Sequence, residues 1–101
     1  MTPKAYLVAQ ITIRDPQGYE AYRSRTRTII ESFGGRFLVR GGTREVVEGQ
    51  VRARTVVLEF PSYEAALVCY RSADYQAAAA LREGKAAFDL FVIEGYDGPQ
   101  T

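Results

Sequence analysis

The sequence predicts an α+β domain in which one antiparallel sheet carries its helices on a single face. Three observations predict it: four segments alternate between two faces as strands do, two segments repeat apolar residues at helical spacing, and their order is strand, helix, strand, strand, helix, strand. At 101 residues, 47% hydrophobic and 25% charged, the chain has room for one core. We therefore expect a single domain over residues 1–101, with a loosely ordered tail from about residue 96.

Periodicity and capping residues predict the first strand and the first helix. Over residues 5–14 one face is purely apolar and the other is mixed, as is typical of a strand covered by helices on one side. Asp15 then supplies an N-cap and Pro16 the first helical residue. The helix ends at the glycine pair of residues 34–35, because glycine adopts the left-handed conformation without steric strain.

The middle of the chain is predicted to form a long strand and its hairpin partner. Residues 36–40 form a strand that places Arg40 on the mixed face of the sheet, away from the helices. The glycine pair that follows interrupts the pattern, which resumes over residues 43–48, so we expect one strand with a bulge or bend. Residues 49–53 then form the turn, and residues 54–60 form the most β-prone strand.

A second helical region and a last strand complete the chain. Ser62 caps a helix whose buried side includes Cys69, and with no histidine to deprotonate it this thiol is expected to be inert. We expect a break near residues 72–74, a short helix to about Glu83, and an unusually apolar strand over residues 88–94. The tyrosines at helical spacing are expected to belong to the core: Tyr19, Tyr22, Tyr70 and Tyr75.

This order of elements is that of the ferredoxin-like βαββαβ fold. Two helices cover only one face of the sheet, so the other face exposes apolar side chains to water: Tyr6, Val8, Leu38, Val57, Phe91 and Ile93. An apolar face of this kind marks an interaction surface, and a homodimer with two facing sheets covers it most economically. We therefore expect the chain to be its own partner.

Four stretches of the sequence resemble a known family. They are residues 34–42 (Gly-Gly-Arg-Phe-Leu-Val-Arg-Gly-Gly), 59–62 (Glu-Phe-Pro-Ser), 70–76 (Tyr-Arg-Ser-Ala-Asp-Tyr-Gln) and 92–95 (Val-Ile-Glu-Gly). Together they resemble the domain of unknown function 1330 family over nearly the whole chain. The resemblance implies the dimeric α/β-barrel superfamily, in which two sheets close into a barrel with the helices outside. Because that superfamily includes cofactor-free monooxygenases, lactone isomerases and haem enzymes, the resemblance implies a fold rather than an activity.

Charge and composition argue against several classes of function. Thirteen basic side chains against twelve acidic ones give a net charge of +1, which argues against a nucleic-acid or membrane partner. The chain has no histidine, the commonest metal ligand and the commonest general acid or base, and we predict neither a metal nor a cofactor. A single cysteine, no signal peptide and no long apolar run favour a cytoplasmic location.

The candidate binding site is a cavity between the two facing sheets. We single out Arg40, because closing the barrel would bury its guanidinium, which then needs an anionic partner. That partner is either an anionic ligand or Glu59 on the neighbouring strand, in which case the pair is structural. Gln10, Thr12 and Tyr6 share the face, and they either supply polar groups to a ligand pocket or form a polar rim hydrogen-bonded to loops.

Three functions remain open at the level of the sequence. The first is a homodimeric barrel that binds a small organic molecule, such as an anion, between its sheets. The second is a cofactor-independent monooxygenase or isomerase, in which Arg40 holds a substrate carboxylate or enolate and Glu59 or a tyrosine moves protons. The third is a non-catalytic dimerisation module whose barrel is filled by side chains. No catalytic residue is identified, and whether the chain is an enzyme stays open.

Overall fold

The computed structural model describes residues 2–100, which form four strands and three helices. In chain order these are β1 (Ala5–Ile13), α1 (Pro16–Ser32), β2 (Arg36–Arg40), β3 (Arg54–Phe60), α2 (Tyr63–Arg71), α3 (Ala73–Ala80) and β4 (Ala86–Glu94). The second helical region is divided, as expected from the predicted break, and the order is otherwise the predicted one. The α+β, ferredoxin-like fold class is therefore confirmed.

Side-chain caps begin each helix at the predicted places. Asp15 Oδ1 accepts a hydrogen bond from the backbone N–H three residues later at 3.1 Å, and Ser62 Oγ does the same at 3.0 Å. Ser72 both ends α2 and caps α3, because its Oγ accepts the N–H of Tyr75 at 3.1 Å. α3 ends at Ala80, earlier than predicted, and turns lead from it into β4.

The core lies between the helices and one face of the sheet. The strands are antiparallel in the order β2-β3-β1-β4, and alternate residues of β1 and β3 point into the core: Ala5, Leu7, Ala9, Ile11, Val56, Leu58 and Phe60. Tyr19, Tyr22 and Tyr75 join them, so their predicted burial is confirmed. Cys69 is 1% exposed, and burial raises its pKa to about 11, which keeps the thiol protonated at neutral pH.

The predicted continuation of β2 over residues 43–48 is wrong. β2 ends at Arg40, and residues 41–53 contain no helix or strand and form a long connection, the β2–β3 loop. Gly41 begins this loop with a φ of +71°, and its N–H donates to the carbonyl oxygen of Thr55 at 2.9 Å. The chain thus turns away from β3 immediately after the first glycine, because only glycine adopts this conformation readily.

A β-bulge reverses the predicted direction of Arg40. The register of β2 against β3 shifts after Phe37, so that Arg40 lies opposite Val56. Because Val56 belongs to the core, Arg40 faces the helices instead of the open face of the sheet. Leu38 is the extra residue in the bulged strand, and simple alternation along β2 cannot account for it.

The open face of the sheet is organised in three cross-strand rows. They are Arg36–Glu59–Tyr6–Ile93, Val39–Val57–Val8–Phe91 and Thr55–Gln10–Asp89. The second, which we call the apolar row, crosses all four strands, and its Phe91 is 52% exposed. The predicted apolar open face is therefore present, with polar side chains on both sides of it. Within residues 2–100 no helix has the length and apolar character needed to cross a membrane.

Candidate functional site

Two of the predicted site residues bind the β2–β3 loop. Gln10 Oε1 accepts hydrogen bonds from Thr55 Oγ1 at 3.0 Å and from Arg44 Nη1 at 3.3 Å. Thr12 Oγ1 accepts a hydrogen bond from Arg52 Nη1 at 3.1 Å. These contacts agree with the alternative in which both residues form a polar rim bonded to a loop. A ligand-binding role for Gln10 and Thr12 stays a prediction.

Glu59 pairs with Arg36, and the structure does not bring it to Arg40. Arg36 Nε lies 3.0 Å from Glu59 Oε1, and Lys4 Nζ lies 3.4 Å from the same oxygen. The hydrogen bond from Arg36 is the main cause that holds the pKa of Glu59 below its ordinary value. Tyr6 lies beside Glu59 in the sheet register. The expected Arg40–Glu59 pair is therefore wrong, because the β-bulge separates the two side chains onto opposite faces.

A cavity of about 40 Å³ lies on the helix-covered side of the sheet. Its floor consists mainly of apolar side chains from β1, β3 and β4: Leu7, Ala9, Ile11, Val56, Leu58 and Leu90. α1 and α3 supply its roof, which includes Tyr19, Tyr22, Thr26 and Tyr75. Apolar walls with a few polar groups are the usual makeup of a small-ligand site. This candidate site lies within one chain, whereas the site expected from the sequence lies between two sheets.

Three arginines line the cavity, and no carboxylate does so within the described part of the chain. Arg54 Nε is buried and has no hydrogen-bond acceptor among the protein atoms described. Arg40 stacks on the aromatic ring of Phe37, with its Cζ 4.1 Å from the ring centroid. Arg23 lies 3.5 Å from Glu20 in an exposed pair on α1. The charged side chains that line the cavity are therefore all cationic.

Gly41 makes room for the guanidinium of Arg54. A Cβ built on Gly41 would contact Arg54 Nη1 and would lie 2.7 Å from its Cζ. The backbone of the β2–β3 loop thus passes so close to Arg54 that a side chain larger than hydrogen does not fit. The glycine consequently holds the position of this arginine at the cavity.

Three tyrosines bring hydroxyl groups to the same cavity. The hydroxyl oxygens of Tyr22 and Tyr75 lie 2.7 Å apart, and either can donate to the other. Burial raises the pKa of Tyr22 well above its ordinary value. Burial also raises the pKa of Tyr19, against the opposing charge of Arg54. At neutral pH the phenols of Tyr19 and Tyr22 therefore keep their protons and act as hydrogen-bond donors.

Sequence reasoning missed Arg54, although the sequence contains a signal for it. Arg54 precedes the buried Val56 and Leu58 by two and four residues, so the two-residue period of a strand places it on the same apolar face of β3. A charged residue on such a face needs a partner or a route to solvent. By contrast, helical spacing predicts that Tyr19 is buried but does not reveal that a cavity reaches it.

Comparison with known proteins extends the fold assignment. The family model described as "Domain of unknown function (DUF1330)" matches residues 4–96. No curated protein matches the chain by sequence. Among solved structures, a protein of unknown function from Rhodopseudomonas palustris has a TM-score of 0.74 at 17% identity, covering 97% of this chain and 86% of that one. SnoaB, a cofactor-independent oxygenase from Streptomyces nogalater, has a TM-score of 0.68 at 12% identity, covering 99% of this chain and 100% of that one.

At these identities the structural likeness concerns the fold alone. A protein from Caulobacter crescentus described as a "putative antibiotic biosynthesis monooxygenase" has a similar fold, with a TM-score of 0.60 at 16% identity, covering 95% of this chain and 92% of that one.

Proposed function

We infer a function from one premise: this chain belongs to the DUF1330 family. We propose that it is a homodimeric domain whose subunits each bind a small organic anion in the cavity between the helices and the sheet. The family carries no described activity, so the proposal depends on the chemistry of the cavity.

The observation that carries the proposal is Arg54, a half-buried cation whose buried Nε has no acceptor and which forms no ion pair with a carboxylate among the described residues. Removing a guanidinium from water is unfavourable unless its N–H groups find acceptors, and an unpaired buried charge destabilises a protein substantially. Arg54 Nε has no protein acceptor among the described residues, while Arg40 and Arg23 add positive charge to the same cavity. A ligand carboxylate would supply the missing acceptor, since a guanidinium binds a carboxylate through two parallel hydrogen bonds.

The size of the cavity limits the ligand. On the scale where one water needs roughly 10–15 Å³, a cavity of about 40 Å³ holds about three water-sized groups. A short carboxylic acid such as propionate has five non-hydrogen atoms, so its carboxylate would lie against the arginines while part of its chain extends to the edge of the cavity. Long or branched acids would have to extend out of the cavity.

Calorimetric titration with propionate tests this proposal. We expect wild type to bind propionate and not propionamide, which has nearly the same shape without the charge. Arg54→Gln should lower the affinity about tenfold or more, because it removes a charge-assisted hydrogen bond. Arg25→Gln is the matched control, since it removes the same charge from the exposed side of α1 and should bind as wild type does. Equal binding of propionate and propionamide, or an Arg54→Gln variant with wild-type affinity, would contradict the proposal.

The homodimer is proposed on the open face of the sheet. The apolar row crosses the whole sheet, and it lies beside Arg36, Glu59 and Lys4, which carry both signs of charge. A two-fold axis through such a face brings apolar residues onto apolar residues and lets basic groups of one copy face acidic groups of the other. Two sheets that pack in this way also agree with the barrel that the family resemblance implies.

A second candidate function is cofactor-independent oxygenation. It is favoured by the fold shared with SnoaB and by arginines that would stabilise an enolate or phenolate oxygen in the cavity. Oxygen consumption by the pure protein with small enols and phenols tests it. Ligand binding without oxygen uptake would leave the binding function standing and remove this one. Absence of both would favour the third possibility, a dimerisation module without a ligand.

A further inference from the structure

We propose that the ligand is a short oxo acid, and that Tyr19 is the residue that recognises its ketone oxygen. This inference rests on the proposed anion-binding function and names the substrate class of the same cavity. It depends on the hydroxyl of Tyr19, which like Arg54 Nε is a hydrogen-bond donor without a protein acceptor. It also depends on the side chains around Tyr19 and on the excess of hydrogen-bond donors over acceptors in the cavity lining.

Tyr19 lines the cavity with a hydroxyl group that makes no hydrogen bond to any of the described residues. The residue is 6% exposed, and its hydroxyl oxygen is not fully buried. Its ring is fixed from two sides, with centroid distances of 5.5 Å to Tyr22 and 6.3 Å to Phe88. A hydroxyl on a fixed ring that bonds to no described residue is free to donate to a ligand atom in the cavity.

The neighbouring hydroxyl groups contribute a further donor. Tyr22 and Tyr75 form a pair in which one hydroxyl donates to the other, so the accepting member still has its own proton to donate. Thr26 Oγ1 donates to the carbonyl oxygen of Arg23 at 3.2 Å, and its hydroxyl proton is therefore used. The roof of the cavity accordingly presents phenolic O–H groups to a bound molecule.

Donors outnumber acceptors in this lining. The three guanidinium groups donate only, and within the described residues no carboxylate or side-chain amide lines the cavity. A molecule that satisfies these groups must carry acceptors at two positions: a carboxylate for the arginines and a second oxygen for the phenols. A ketone oxygen fits best, because it accepts hydrogen bonds and brings no proton that itself needs an acceptor.

The positions of the two kinds of donor agree with this class of molecule. Arg54 lies opposite Ile11 of β1 in the sheet register, and Phe88 of β4 lies opposite Ile11 on the other side. Tyr22 packs on Phe88 with ring centroids 5.6 Å apart. Arg54 and Phe88 therefore lie on either side of Ile11 in one cross-strand row, and Tyr22 of α1 packs over the Phe88 end of that row. An oxo acid with a three- or four-carbon chain carries a carboxylate for the arginine and a ketone oxygen for the phenols.

Titration calorimetry with three acids of equal chain length tests the inference. Pyruvate carries a ketone, lactate a hydroxyl and propionate neither. We expect wild type to bind pyruvate about tenfold more tightly than propionate, as one buried hydrogen bond allows, with lactate weaker than pyruvate. Tyr19→Phe should bind pyruvate and propionate with nearly equal affinity and leave the affinity for propionate unchanged. Tyr63→Phe removes a phenol from the partly exposed start of α2 and should keep the wild-type preference.

The possible results separate this inference from the function on which it rests. If propionate binds and pyruvate binds no better, or if lactate equals or exceeds pyruvate, the oxo-acid class is overturned while anion binding stands. If Tyr19→Phe keeps the preference for pyruvate, the role of Tyr19 is overturned. If none of the acids binds, the proposed function fails and the inference fails with it. A thermal melt of each variant checks folding, and Tyr19→Phe should melt near wild type because its hydroxyl bonds to no described residue.

Discussion

Gly41 is the residue on which the position of Arg54 depends most directly. Its φ of +71° is unfavourable for any residue with a side chain, and a Cβ there would displace the Arg54 guanidinium. We predict that Gly41→Ala lowers the free energy of unfolding by about 1–2 kcal/mol, the typical penalty for this backbone conformation. Denaturant unfolding measures this change, and propionate titration should show weakened binding by the variant.

Gly42→Ala is the matched control for that experiment. Nothing lies within 4 Å of a Cβ built on Gly42, so this substitution should change neither stability nor propionate binding. If Gly42→Ala affected the protein as much as Gly41→Ala, the effect would come from general loop flexibility. The account of Gly41 and Arg54 would then be wrong.

The Glu59–Arg36 pair predicts how stability responds to acid. Because the hydrogen bond from Arg36 lowers the pKa of Glu59 in the folded state, the ionised form stabilises the fold above the ordinary pKa of 4.5. This contribution is lost as pH falls through the lower, folded-state pKa. We predict that Glu59→Gln is less stable than wild type at pH 7 and that the difference disappears between about pH 5 and pH 3.

Unfolding curves at several pH values measure this difference. Glu83→Gln provides a comparison, because this exposed carboxylate has no ion pair among the described residues and should differ little from wild type at any pH. A gap between wild type and Glu59→Gln that stays constant down to pH 3 would contradict the assignment.

Among the elements, the β2–β3 loop is held by arginine side chains instead of strand pairing. Arg44 donates to Thr55 Oγ1 at 2.8 Å and to the carbonyl oxygen of Arg52 at 2.6 Å. We predict that a glutamate-specific endoprotease cleaves the loop of Arg44→Ala after Glu45 and Glu48 several-fold faster than it cleaves the loop of wild type. Global stability should change by no more than about 1 kcal/mol, since these contacts are exposed.

The cleavage rates of Arg44→Ala and Arg25→Ala, followed by mass spectrometry, measure this effect. Arg25 lies exposed on α1, so its loss should leave the cleavage rate of the loop unchanged. Equal protection of the loop in wild type and Arg44→Ala would show that something other than this side chain holds the loop.

Sequence patterns predicted the elements well where local chemistry determines them. Asp15 and Ser62 are caps whose side-chain oxygens accept from nearby backbone groups, and both predictions are confirmed, as is the break near residues 72–74, where Ser72 caps α3. The bulge in β2 depends on pairing with β3 across the sheet, and no local signal separates it from regular alternation. That single extra residue moved Arg40 to the other face and with it the expected site.

For the whole molecule, the apolar row predicts the oligomeric state. We expect wild type to be a dimer and Phe91→Glu to be a monomer, because the substitution places a charge in the apolar row of the proposed interface. Val68→Glu is the control, since Val68 is 57% exposed on α2, on the helix-covered side. Sedimentation velocity at micromolar concentration measures all three. A monomeric wild type, or a Phe91→Glu variant that stays dimeric, would contradict the proposed interface.

The residues on the mixed face of the sheet predicted a small-ligand pocket between two sheets, and ligand binding stays a prediction. The expected site required two copies of the sheet, whereas the cavity described here is formed by α1, α3 and the sheet of one chain. A void between packed layers depends on how side-chain volumes fill the core, and periodicity contains no information about it. Arg54 on an apolar strand face was the one signal that could have indicated it.

The most direct test of anion binding in the cavity follows the Arg54 Nε–H resonance in a nitrogen-15 spectrum during titration with propionate. We predict a large, saturable shift of this resonance, while the Nε–H resonances of Arg25 and Arg52, which lie outside the cavity lining, stay in place. An Arg54 resonance that does not move while propionate binds, or a shift confined to Arg52 on the open face, would contradict the account.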